Sequence, residues 1–179
     1  MNYVFYSLPK DSGPGPAPEL PPGYEAVLWR PGLIRLAPSG DSLQPVYVFW
    51  WLLHHLRVFS GRGYAVLIIR HGGRIVHRSC VLPYHVRLPF MERDDLFVGN
   101  VWTDPAHRGR GLATYALQYV VHHLRRKSGK VWYVVGEDNA PSVRVAEKAG
   151  FVRVGEGQRK ECLGLGFLGT YVIIRRPAP

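Results

Sequence analysis

The spacing of apolar and polar positions predicts short strands and helices in a mixed order. "GYAVLIIRHGGRIVHRSCVLP", residues 63–83, has two apolar, β-branched runs around His71-Gly72-Gly73, the pattern of a hairpin. "DLFVGNVWTD", residues 95–104, predicts a strand with a bulge or kink at Gly99-Asn100. Leu112, Ala113, Ala116, Leu117, Val120, Val121 and Leu124 then fall on one stripe at helical spacing. "VWYVVG" predicts a buried strand. "DNAPSVRVAEKAG" predicts a short helix that Asn139 caps, with Pro141 in its first turn and Gly150 ending it. "FVRVGEG" and "GTYVIIRR" read as closing strands.

The first sixty residues are less regular. "LPKDSGPGPAPELPPG", residues 8–23, has six prolines and three glycines and reads as an extended surface strap. "EAVLWRP" and "GLIRLAP" read as a strand pair around Pro31-Gly32, and "VYVFWWLLHHLRVFSG" as a buried helix ending near Gly61. The predicted order is hairpin, strand, helix, strand, helix, strand, strand. That is a mixed α/β layer rather than a Rossmann repeat, and the chain has no internal repeat.

A chain of 179 residues, 46% hydrophobic and 20% charged, is globular in composition and suits one domain over residues 1–179. No stretch approaches the roughly 18 apolar residues of a membrane span. "MNYVFYSLPKD" has no basic region followed by a long apolar run, so no signal peptide is expected. Cys80 and Cys162 form no CxxC, and a reduced, cytoplasmic protein is the simple expectation. The net charge of +10 favours an anionic partner without choosing one.

"DPAHRGRGLATYAL", residues 104–117, narrows that choice. A strand that enters a glycine-containing turn and then a helix offers unpaired backbone N–H groups at the positive end of a dipole, which suits phosphate. Gly109 and Gly111 permit close backbone approach, and Arg108 and Arg110 add charge-assisted bonds. The segment is neither a P-loop nor a GxGxxG fingerprint.

"RGRGLA", Arg108–Ala113, resembles the R/Q-x-x-G-x-G/A signature of the Gcn5-related N-acetyltransferases (GNAT), and it follows "VWTDP" and precedes a helix as that family requires. "NAPSVRVAEKAGF", residues 139–151, resembles the later segment of the branch that acetylates ribosomal-protein N-termini. The resemblance covers about residues 60–155. It implies a twisted central sheet flanked by helices and acetyl-CoA as acyl donor, with no metal. It further implies that Trp102 and Thr103 meet the pantetheine arm. The backbone of Arg108, Gly109, Arg110, Gly111, Leu112 and Ala113 would hold the pyrophosphate. Asn139 and Ser142 would lie beside the pantetheine or the leaving thiolate.

The proton steps call for a base and an acid. An amine with a lysine-like pKa pays roughly 4 to 5 kcal/mol to be neutral at pH 7, and one near pKa 8 only about 1 to 2. Many family members carry a Glu on the strand before the motif, where this chain has Gly99-Asn100-Val101-Trp102. His85, Glu92, Asp94 and Asp95 are the alternative bases. A tyrosine often reprotonates the thiolate; Ala146 occupies its place here, which leaves Ser142 as a weak donor. The candidate catalytic residues are therefore Ser142 and His85.

Other signals are set aside. "GDSL", residues 40–43, matches an esterase nucleophile block, but its Asp–His partner would lie inside the CoA-type motif. Adjacent histidines at 54–55 and 122–123 point about 100° apart on a helix and make poor chelates. Arg108, Arg110, Arg125, Arg126, Lys127 and Lys130 could form a basic face, yet no nucleic-acid motif accompanies them. The expected partners are an acyl-CoA and an amine, favoured as an anionic one such as an amino sugar on a nucleotide, with a protein N-terminus as the near alternative. "YHVRLPFM", residues 84–91, and the helix carrying Trp50 and Trp51 should line the acceptor groove. The strap and terminal strands leave a homodimer open.

Overall fold

The computed structural model describes residues 2–9, 11–13, 17–59, 64–85, 88–126, 128–162 and 165–175, with the backbone alone over 161–162 and 165–168. The elements are β1 (Asn2–Leu8), β2 (Tyr24–Trp29), α1 (Pro45–His55), β3 (Ala65–His71), β4 (Arg74–Pro83), β5 (Leu96–Thr103), α2 (Leu112–Tyr119), β6 (Val131–Gly136), α3 (Ala140–Lys148), β7 (Val152–Cys162) and β8 (Leu165–Arg175). The strands form one eight-stranded sheet in the order β2-β3-β4-β5-β6-β1-β7-β8. β5 and β6 run parallel, because the crossover between them carries α2.

Alternation along the strands divides the core between the two faces of the sheet. Tyr133 and Val135 of β6 pack with Leu117 and Val121 on one face, beside Ala146 of α3. Trp132 of the same strand packs on the other face with Tyr47 of α1, Tyr64 and Phe97. The predicted mixed α/β sheet with flanking helices is the observed class.

Several elements differ from the sequence reading. β1 was not foreseen; its "NYVFYSL" inserts between β6 and β7 and pairs antiparallel with both. Gly157 permits that insertion, since a Cβ there would lie 2.7 Å from the Phe5 ring; it would also meet the Val172 carbonyl of β8. The strand pair around Pro31-Gly32 does not form. β2 pairs with β3 instead, and Gly32 and Arg35 exchange backbone bonds that close a tight loop. Leu33 and Ile34 are 80% and 89% exposed there, so no apolar face holds a second strand. α1 ends at His55 rather than near Gly61, which lies outside the described residues. It is not fully buried either: only Tyr47 is, while Val48 and Leu52 are exposed.

The stripe from Leu112 to Leu124 is one continuous helical face. Its last turn, residues 120–124, widens to a π-turn in which Arg125 N–H reaches the Val120 carbonyl at 3.0 Å. The Arg125 guanidinium then donates to the carbonyls of Pro9 and Ser12, at 3.0 and 2.7 Å, and pins the strap against the body.

Candidate functional site

β5 and β6 pair only over Leu96–Val98 and Val131–Tyr133. Beyond Val98 and Tyr133 they separate, while β5 stays paired to β4 on its other side. Arg78 to Cys80 on β4 spans Trp102 to Gly99 on β5, so β5 holds one extra residue there. Asn100, at φ +48°, marks this bulge, as "GN" predicts. The extra residue raises the local twist and turns β5 away from β6. A gap opens at the centre of the sheet, edged by Gly99–Thr103.

The loop after β5 is tightly fixed. Asp104 N–H donates to the Val76 carbonyl, and its carboxylate caps Ala106 N–H at 2.9 Å. Arg108 Nε donates back to the Thr103 carbonyl at 3.2 Å. Arg110 donates to the Tyr24 hydroxyl at 3.0 Å, and that hydroxyl meets His107 Nδ1 at 2.8 Å. Gly109 and Gly111 have φ of +74° and +78°, and a Cβ at either would face open space. Open space before amides at a helix start suits a phosphate; Gly111 is the N-cap of α2, so the next amides have no intrahelical partner.

α3 begins on the same face of the sheet. The Asn139 side chain accepts from Ser142 N–H at 3.2 Å, an N-cap bond. The Ser142 side chain acts on the Tyr133 hydroxyl, a residue the sequence reading did not single out. Tyr133 is the last β6 residue paired to β5, so it stands where the two strands part. Burial, opposed only by Ser142, raises its pKa and keeps the hydroxyl protonated at neutral pH. One turn after Ser142, Ala146 is fully buried in the same cluster as Tyr133. Ala146 leaves α3 without a tyrosine at that place, and the tyrosine packed against this face, Tyr133, comes from the strand below it.

His85 lies on the opposite face, so the two candidate catalytic residues are not brought together. It lines a cavity of about 870 Å³. α1 supplies one wall through Phe49, Trp50 and Leu52, and Gly99, Asn100 and Val134 lie at the end next to the gap. The cavity thus sits where "YHVRLPFM" and the aromatic helix predict a groove, through His85, Leu88 and Trp50. Trp51 is not part of it and donates to the Gly32 carbonyl at 2.9 Å. Val86 and Arg87 lie outside the described residues. The His85 ring is held at 5.5 Å from Trp50 and 5.3 Å from Phe59, with Nδ1 at 3.0 Å from the Pro83 carbonyl. A carbonyl only accepts, so Nδ1 carries the proton of the neutral ring and Nε2 is its basic nitrogen.

The carboxylates considered as bases are engaged structurally. Asp95, 1% exposed, accepts from Glu92 N–H, Lys130 N–H and Trp132 Nε1–H at 2.9, 2.8 and 2.7 Å. Asp94 binds Ser128 and Arg126, which hold its pKa below the usual carboxylate range. Glu92 faces Lys130 at 3.7 Å. Burial pushes the Cys80 thiol up to about 11, which leaves it inert as a nucleophile. The predicted basic face is partly spent, since Arg125 holds the strap and Arg126 pairs with Asp94. Lys127 lies outside the described residues. Among the described residues, no group of three His, Cys, Asp or Glu side chains is placed to hold a metal, and no helix is long and apolar enough to cross a membrane.

Solved structures share this architecture at low sequence identity. A GCN5-related N-acetyltransferase from Sphaerobacter thermophilus is 21% identical with a TM-score of 0.56 over 87% of this chain. A tandem GNAT protein from the clavulanic acid biosynthesis pathway is 21% identical with a TM-score of 0.57 over 85%. A GNAT-family acetyltransferase from Colwellia psychrerythraea is 13% identical with a TM-score of 0.57 over 86%. The alignments cover 49%, 50% and 53% of those chains, so this chain spans about half their length. No curated protein matches it. The family model for the Acetyltransferase (GNAT) family matches residues 29–151, which take in the split strands, the Gly109–Gly111 loop and the capped α3, and the chain belongs to that family.

Proposed function

We propose that the protein is an N-acyltransferase that moves an acetyl group from acetyl-CoA directly to a primary amine. The observation that carries this reading is the conjunction at α2: a strand pair that splits, and a two-glycine loop with open space before a helix start. In this reading the amides of Arg108–Ala113 and the guanidinium of Arg110 take the pyrophosphate. The pantetheine arm follows the gap past Trp102 and Thr103, and Asn139 holds the first turn of α3 beside it. The gap joins the loop and α3 on one face to the cavity on the other, so donor and acceptor would meet from opposite sides.

The chain's own groups then divide the proton work. His85, which lines the cavity, would take a proton from the nitrogen. Ser142, beside the Tyr133 hydroxyl at the start of α3, would stand on the thiol side and turn its hydroxyl to the leaving sulfur. Neither is a strong acid or base, so most of the rate would come from holding the two reactants together. Among acceptors, net charge argues for an amino sugar on a nucleotide, and the α3 motif for a protein N-terminus. Isothermal titration with acetyl-CoA tests the donor half. One-to-one binding that Ser142→Ala leaves intact, with turnover reduced, supports the assignment. No binding at millimolar acetyl-CoA rejects it.

A further inference from the structure

We infer that the acceptor cavity takes a bulky, apolar, weakly basic aromatic amine, an inference that rests on the acyl-transfer reading above. The cavity reaches the split sheet at Gly99, Asn100 and Val134, just beyond the last β5–β6 pair. A ligand filling it would put one end at the gap and its body against α1. Its size, about 870 Å³, lies within the range of pockets that enclose a multi-ring ligand.

The lining sets the chemistry of the occupant. Val48, Phe49, Trp50, Leu82, Leu88 and Phe97 make it mainly apolar. Among the described lining residues none is Asp or Glu, and Arg159 is the only Lys or Arg. Arg159 lies over the Tyr171 ring at 5.5 Å. An ammonium entering this cavity would lose hydration and meet no carboxylate among the described lining residues, so that lining favours the neutral amine. A lysine-like amine is neutral in only about one molecule in a few thousand at pH 7. An aromatic amine, its lone pair delocalised into the ring, is neutral already and needs no carboxylate base. A nucleotide sugar would bring a pyrophosphate into apolar walls, whereas the loop cations Arg108 and Arg110 are not among the lining residues.

The step balances without a further reactant. The nitrogen lone pair attacks the thioester carbon, a C–N bond forms, and the C–S bond breaks with its electron pair on sulfur. The nitrogen loses one proton to His85 or solvent, and the thiolate gains one. The products are an aryl amide and the CoA thiol.

The test measures kcat/KM with acetyl-CoA for 4-butylaniline, for the similarly sized but basic 4-propylbenzylamine, for a UDP-linked amino sugar and for a tetrapeptide with a free N-terminus. At pH 7 the aniline should exceed each of the others by at least tenfold. The ratio of benzylamine to aniline rates should rise about tenfold per pH unit between pH 6 and 8. Titration of the enzyme groups facing the cavity (His85, Arg159 and Tyr171) cancels in that ratio. Leu52→Glu places a carboxylate on the wall at a residue already 48% exposed, so folding should survive. It should move the ratio several-fold towards the benzylamine while leaving acetyl-CoA binding unchanged. If acetyl-CoA binds and the UDP-sugar or the peptide is fastest, the acceptor inference is overturned and the acyl-transfer reading stands. Faster turnover of a small amine with octanoyl-CoA than with acetyl-CoA would assign the cavity to the acyl chain and also overturn it. No acetyl-CoA binding would remove the reading beneath it.

Discussion

Replacing Gly111 with alanine separates backbone strain from ligand contact. Gly111 sits at φ +78° and ψ 2°, and a Cβ there meets no atom within 4 Å. The folded protein therefore pays only the left-handed penalty, about 1 to 2 kcal/mol. For a chain of this size that lowers the melting temperature by about 2 to 8 °C. Gly40 is a matched control, at φ +87° with the same open surroundings but in a different loop. Gly40→Ala should lose stability to a similar extent. The ligand distinguishes them. Acetyl-CoA at a hundred times its Kd stabilises the folded state by about 2.7 kcal/mol. A methyl group in the phosphate cradle that weakens binding tenfold leaves about 1.4 kcal/mol at the same concentration. Differential scanning fluorimetry with and without acetyl-CoA should thus show the ligand-induced shift halved or less in Gly111→Ala and unchanged in Gly40→Ala. Equal drops without ligand and equal, full shifts with it would refute the assignment of the loop.

Asp95→Ala removes three hydrogen bonds from a buried carboxylate and should cost about 3 to 4 kcal/mol by urea unfolding, with the Kd of acetyl-CoA for the folded fraction unchanged. His77 is fully buried between Thr103 and Ser79, and burial depresses its pKa to about 4. The unfolded chain takes up a proton near pH 6.5 that the folded chain refuses, so stability is full above pH 6.5. It falls on acidification towards pH 4, by on the order of 3 kcal/mol, and His77→Gln should flatten this part of the urea-midpoint profile. Tyr24→Phe removes the hydroxyl that holds Arg110 and His107 together. It should weaken acetyl-CoA binding about two- to tenfold and leave kcat unchanged, which stopped-assay kinetics would show.

The elements set by local chemistry were legible in the sequence. The β3–β4 hairpin follows from Gly72-Gly73, the α3 cap from Asn139 and Pro141, and the bulge from Gly99-Asn100. Elements set by tertiary partners were not. β1 is buried on both faces along most of its length, so it lacks the alternation that marks a half-buried strand. Its place between β6 and β7 depends on Gly157, some 150 residues away, where a Cβ would meet the Phe5 ring. "GLIRLAP" looks like a strand by composition, but β3 takes β2 and leaves it unpaired. For the candidate site, the two-glycine loop was readable because its glycines sit at positive φ just before a helix start. Tyr133 was not, because "VWYVVG" reads as core, and only the pairing of β6 shows that this residue stands where the two strands part. That the cavity reaches the β5–β6 split, at Gly99, Asn100 and Val134, depends on tertiary packing that no local pattern encodes.

Thiol release from acetyl-CoA across a panel of amines, with the amine product identified by mass spectrometry, tests the central claim most directly. The account predicts release that depends on both substrates, an acetyl group on the amine nitrogen, and a rate about tenfold lower in Gly111→Ala at sub-saturating acetyl-CoA. Absence of acceptor-dependent release with every amine, in protein that binds acetyl-CoA, would contradict it.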